Sequence, residues 1–135
     1  MFVKFIRVLT GGGQSGKLPR AEDTAKIPTI RGRPPINSKY AGGMHPAGVK
    51  FTPQGFPDFS PHAVAEVKLE ELTGNLAKDS AMANTAAGLD STPKGYVWHH
   101  LEDRKTMQLV PRDIHKAVGH TGGAAVIRNG GFDPK

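Results

Sequence analysis

The chain is 135 residues long, room for one domain with some tail, and it contains no cysteine, which excludes disulfide scaffolds, thiolate-ligated zinc and thiol catalysis. Its net charge of +6 fits a polyanionic partner, usually nucleic acid, and equally a solvated basic surface. No apolar run approaches the about 18 residues of a membrane span, so no membrane anchor is expected, and the short apolar stretch 1–9 lacks the cleavage site of a signal peptide.

The charge is unevenly placed: residues 1–50 carry +7, residues 51–90 carry −4, and residues 91–135 carry +3. In chain order, residues 2–9 mix helical spacing with β-branched content, and the second favours a strand. Residues 10–50 are dense in Gly and Pro, so residues 1–39 read as a basic arm or linker, with order improving from about residue 40. Ser60-Pro61 looks like a helix start, and Ala65, Leu69, Leu72 and Leu76 recur at helical spacing. Gly74 interrupts them, so two helices are expected, near 61–73 and 76–87. Residues 95–101 and 106–110 favour two strands joined by the charged turn Glu102 to Lys105. Pro111 opens a helix, and Gly119, Gly122 and Gly123 should end it.

Gly-Gly-Gly-Gln-Ser-Gly-Lys-Leu at 11–18 nearly matches a phosphate-binding loop. That motif needs a hydroxyl residue after the lysine and then a helix, whereas Leu18 and Pro19 follow here, so a Gly-rich linker is the better account.

Four of the six histidines fall within 22 residues: His99, His100, His115 and His120. Imidazole offers neutral nitrogen to a divalent cation and can take a proton near pH 7. A hairpin packed on a helix brings strand and helix imidazoles to one point. Neighbouring strand residues face opposite ways, so His99 and His100 serve one site only if the strand twists or bulges. His115 and His120 are five apart, so they meet only if the helix breaks at Gly119. Four such histidines without cysteine favour a catalytic metal site over a structural one. Trp98 reads as a core anchor, and His45 and Asp58 as turn-bracing residues with a possible reach toward the site.

Gly95-Tyr96-Val97-Trp98-His99-His100, then Met107-Gln108-Leu109-Val110-Pro111, Ile114-His115 and His120-Thr121-Gly122-Gly123, together resemble the WHH branch of the HNH/endonuclease VII nucleases, found as toxin domains of bacterial polymorphic toxins. Gly42-Gly43-Met44-His45-Pro46, Gly48-Val49 and residues 55–60 resemble segments that precede the core in that family, so the likeness covers about residues 40–123. It implies an α+β fold with a small ββα-metal (His-Me finger) core at about 95–123, additional helices and an irregular N-terminal arm, the nuclease domain running over 40–135. It implies one divalent ion (Mg²⁺, Zn²⁺ or Ni²⁺) on His99, His115 and His120, with His100 as general base. Gln108 sits near the place of the family's asparagine, to orient the base or brace the loop. Arg104, Lys105, Arg112 and Lys116 flank these residues and offer charge to backbone phosphates.

The expected activity is metal-dependent hydrolysis of phosphodiester bonds, of DNA before RNA, by a secreted or delivered toxin acting in the cytoplasm of a target bacterium. A cognate immunity protein in the producer is implied. Two rivals remain at this point: a metal-stabilised nucleic-acid-binding module that cuts nothing, and a metal-independent RNase using a histidine pair.

Overall fold

The computed structural model describes residues 3–7, as a backbone strand, and 27–134. The phosphate-loop likeness at 11–18 lies outside the described residues. Four strands form one antiparallel sheet in the order β1-β2-β4-β3: β1 is Val3–Arg7, β2 Ala65–Leu69, β3 Tyr96–His100 and β4 Thr106–Pro111. Three helices join it: α1 is Leu76–Ala87, α2 Arg112–Ala117 and α3 Gly123–Arg128. No helix among the described residues is long and apolar enough to cross a membrane.

The expected helix over 61–73 is a strand instead. Ser60–His62 makes only a single 3-10 turn, and Ala65–Leu69 then runs down the middle of the sheet between β1 and β4. Buried Val67 and Leu69 alternate with Glu66 and Lys68, and that two-residue period prevails over the coincidental spacing of Ala65, Leu69 and Leu72. The helix at 76–87 forms as expected. Asn75 caps its start by accepting a bond from the Lys78 N–H at 2.9 Å, and Gly88 ends it in the left-handed region at φ 75°.

The sheet separates two cores. On one face Val67, Leu69, Trp98, Met107 and Leu109 pack against Ala83 and Ala86 of α1. Trp98 is the anchor that the sequence suggests: it is 1 % exposed, and its Nε1–H donates to Asn84 Oδ1 at 2.7 Å. On the other face Val110 meets Val118, behind α2, and the irregular stretch that supplies Val49, Phe51, Phe59 and Ala63. The hairpin register runs from Tyr96↔Pro111 through His99↔Gln108 to His100↔Met107 without a break. Consecutive residues of β3 therefore serve opposite cores.

The sequence offers no sign of α3. Gly123 was expected to end a helix and instead begins one, seated so tightly on the end of β3 that a Cβ would fall on the Leu101 carbonyl. The described parts of the arm are tied to the rest of the molecule. β1 pairs with β2, Thr29 Oγ1 donates to Asp133 at 2.8 Å, and Ile36 N–H donates to Thr121 Oγ1 at 2.9 Å.

Candidate metal centre and active site

His99 leaves β3 on the face opposite α1, buried at 4 % exposure. His115 comes from α2 and His120 from the segment after it. The helix stops at Ala117 and Val118 is already extended, so the chain breaks one residue before Gly119 and swings His120 back. The Val118 carbonyl fixes that return by accepting the His120 Nδ1–H at 2.6 Å. One ligand nitrogen from each of His99, His115 and His120 lies within 4.8 Å of the others. Ring centroids are 5.1 Å apart for His99 and His115, 5.2 Å for His99 and His120, and 4.8 Å for His115 and His120.

Phe59, fully buried, backs all three rings, with centroids 4.8, 5.2 and 5.5 Å from His99, His115 and His120. Sequence reading missed this residue, because an aromatic 40 positions upstream carries no local sign of where it lands. Among the described residues no carboxylate joins the cluster. Burial therefore depresses all three imidazoles. His99 is held well below its ordinary pKa by burial and then by His120, His115 and His100; His115 falls to about 4; and His120 is lowered by burial.

These residues fit a divalent cation. The rings stay neutral and keep lone pairs to give. His99 Nδ1 and His115 Nε2 are 3.1 Å apart, close to the roughly 3.3 Å edge of a tetrahedron with bonds of about 2.0–2.1 Å. With its Nδ1–H committed to Val118, His120 presents Nε2, the outer-partner arrangement that sets a ligand's tautomer. An ion held by these three nitrogens would keep room for a further ligand.

His100 is not brought to this cluster. It points to the α1 face, where its Nε2 lies 2.8 Å from Asp79 Oδ2 and the two side chains are 4 % and 0 % exposed. Nothing local marks Asp79, whose place in the first turn of α1 suggests only a favourable helix dipole. Asp79 also accepts from the Thr73 and Gly74 N–H groups at 3.0 and 2.8 Å and from the Thr73 hydroxyl at 2.7 Å. Burial alone would raise its pKa, but the bonds from His100, Thr73 and Gly74 outweigh that and leave it below the ordinary 3.8. A carboxylate can only accept, so His100 carries its proton on Nε2. Its Nδ1 has no hydrogen-bond partner among the described residues and is not sealed from solvent.

Gln108 does not reach His100 either. It stands opposite His99 in the register and shares that face. Its Nε2 donates to Glu66 Oε1 at 2.9 Å and to Ser60 Oγ at 3.1 Å, so it braces the turn next to Phe59 and does not orient the base. Arg112 and Lys116 are exposed one turn apart on α2, on either side of His115, and Lys105 is exposed in the hairpin turn. Arg104, in the left-handed region at φ 65°, lays its guanidinium against Gly131. His45 and Asp58 brace turns, accepting from the Ala47 and Ser60 N–H groups, each at 2.9 Å.

Residues 88–130 match the model of the WHH family, described as a nuclease of the HNH/ENDO VII superfamily with conserved WHH. The matched segment contains β3, β4, α2, α3 and all four histidines of the hairpin and helix. No curated protein matches the chain.

Proposed function

We propose, from the match of residues 88–130 to the WHH nucleases of the HNH/ENDO VII superfamily, that the chain is a divalent-metal-dependent endonuclease that hydrolyses phosphodiester bonds of DNA. The observation that carries this reading is the convergence of His99, His115 and His120, three depressed imidazoles with no carboxylate among them. When bound, the ion supplies positive charge to the phosphate and to the departing oxygen. The protein's part is to hold the three nitrogens in place, with Phe59 packing the rings and the Val118 carbonyl fixing His120. Arg112 and Lys116, flanking His115, hold backbone phosphates.

His100 is the general base in this proposal. Asp79 holds Nε2–H, which leaves the Nδ1 lone pair to take a proton from water. As the last residue of β3, His100 meets a substrate that crosses the strand end, where the two faces adjoin. A second reading rests on the complete burial of Asp79: His100 is then a structural partner for a buried carboxylate and takes no proton. His100→Gln separates the two, because the amide still offers Asp79 a donor but cannot serve as a base.

The biological role follows the resemblance of the Trp98-His99-His100 unit to toxin domains. It is delivery as an antagonistic toxin into the cytoplasm of a target bacterium, with a cognate immunity protein in the producer. The direct test is plasmid cleavage with Mg²⁺, Zn²⁺ or Ni²⁺, repeated in EDTA and with an RNA substrate. Metal-dependent nicking of plasmid supports the proposal. Cutting of RNA that survives EDTA would replace it with a metal-independent RNase, and binding without cleavage in every metal would replace it with a non-catalytic module.

A further inference from the structure

A groove of about 610 Å³ runs past Thr121, the residue after His120, and is in the size range of ligand-binding clefts. Arg31 and Arg33 stand on its wall, Ile30, Pro34 and Ile36 give it apolar surface, and Thr121 and Asn129 close the other side. Among the described residues no acidic side chain lines it. Thr121 directly follows His120, and the two walls are stitched together at that point. The Ile36 N–H donates to Thr121 Oγ1 at 2.9 Å, and Asn37 Nδ2 donates to the Gly119 carbonyl at 2.7 Å. The groove therefore continues from the segment that carries a histidine of the cluster.

The arginine wall is a tightly built turn. Ile30 and Arg33 exchange backbone bonds of 2.8 and 3.1 Å, and the two residues between them, Arg31 and Gly32, have φ of 54° and 77°. Such a two-residue turn favours Asn, Asp or Gly at its first central position. Arginine there is an outlier in a costly conformation, of the kind that surrounding contacts must hold in place. Asp133 does the holding: its carboxylate accepts from the Arg31 N–H at 2.9 Å, the Gly32 N–H at 2.7 Å and the Thr29 hydroxyl at 2.8 Å. Its oxygens are occupied by the turn backbone and hydroxyl, while both guanidinium groups are left exposed at the groove.

We propose that this groove seats a nucleotide of the substrate strand flanking the cut, with Arg31 and Arg33 on its backbone phosphates and the sugar and base against Ile30, Pro34 and Ile36. The proposal rests on the nuclease reading above. Guanidinium matches phosphate oxygens in a two-pronged geometry, and an apolar wall accepts the face of any base. Ile36 is 59 % exposed, an apolar surface that such an occupant covers. The contacts are to the backbone, so they confer affinity and position without sequence preference.

The test measures binding of labelled DNA and RNA oligonucleotides of one sequence in EDTA, where nothing is cut, between about 50 and 200 mM salt. Alongside it, metal-dependent cleavage is followed with the full chain. Arg31→Gln/Arg33→Gln is compared with the charge-matched control Lys78→Gln/Lys94→Gln. Losing two phosphate contacts should flatten the slope of log affinity against log salt by about 1.4 to 1.8 and weaken binding about tenfold or more at the low-salt end, while the control stays near wild type. Ile36→Glu, which leaves the arginine turn intact, should weaken binding by a similar factor. An unchanged slope in the arginine variant, or equal flattening in the control, overturns the groove while leaving a wild type that cuts as a nuclease. A wild type that neither binds nor cuts either nucleic acid overturns the nuclease reading, and the groove with it.

Discussion

The two faces of β3 treat adjacent histidines in opposite ways. On one face His99 meets two more imidazoles and a phenyl ring, and no carboxylate. On the other His100 meets a carboxylate fixed by three further donors. Imidazoles buried without a counter-charge lose their protons and become lone-pair donors, which suits a cation. An imidazole bonded to a carboxylate has one nitrogen committed and the other free, which suits proton transfer or a structural pair. Residue type alone does not assign these roles; the neighbours on each face do.

The largest expected effect comes from removing a ligand on the first face. His115→Ala should reduce plasmid cleavage to background, and ion affinity should fall by more than the roughly 10–100-fold typical of losing an outer partner. Unchanged affinity by calorimetry would dissolve the distinction between the faces. Next, His100→Gln should lower the cleavage rate by about 10²–10⁴ with ion affinity held. A variant that cuts normally but melts earlier would make the second face purely structural.

Asp79 sharpens the comparison through stability. Asp79→Ala strands His100, Thr73 and Gly74 without an acceptor and should cost about 3–5 kcal/mol by denaturant unfolding, a large share of the about 5–15 kcal/mol of a typical domain. The sign of the pH effect follows from a folded pKa below 3.8: the contribution is present above that value and is lost as pH falls through the folded value. Acid titration should therefore unfold wild type more steeply below about pH 4 than Asp79→Asn. Parallel acid curves would show that Asp79 does not hold its proton off. The smallest effect comes from the core on the second face, packed under α1. Trp98→Phe leaves Asn84 Oδ1 without the indole donor and should cost about 1–3 kcal/mol without altering ion binding.

The hairpin and the helix after Pro111 were legible because strand propensity and a proline helix start are local signals, and spacing singled out four histidines, but the choice of His99, His115 and His120 among them came from the family resemblance and not from spacing. The rule that strand neighbours face apart was legible too, and the unbroken register settles it: His99 and His100 part company. What escaped was non-local. β2 reads as a helix from its leucines until Val67 and Glu66 find their partners Met107 and Gln108 across β4. α3 hides behind glycines because Gly123 is chosen for contact with Leu101, not for ending a helix. Phe59, Glu66 and Asp79 gain their roles from partners 21 to 61 positions away, which no window of sequence spans.

The central claim is that the His99 face, and not the His100 face, takes the ion. Titration of a divalent metal into ¹⁵N-labelled protein, with the imidazole nitrogens resolved by NMR, addresses it directly. The account predicts saturation at one ion per chain, large shifts at His99 Nδ1, His115 Nε2 and His120 Nε2, and the Nε2–H tautomer of His100 retained throughout. Primary shifts at His100, or binding that leaves His115 undisturbed, would contradict it.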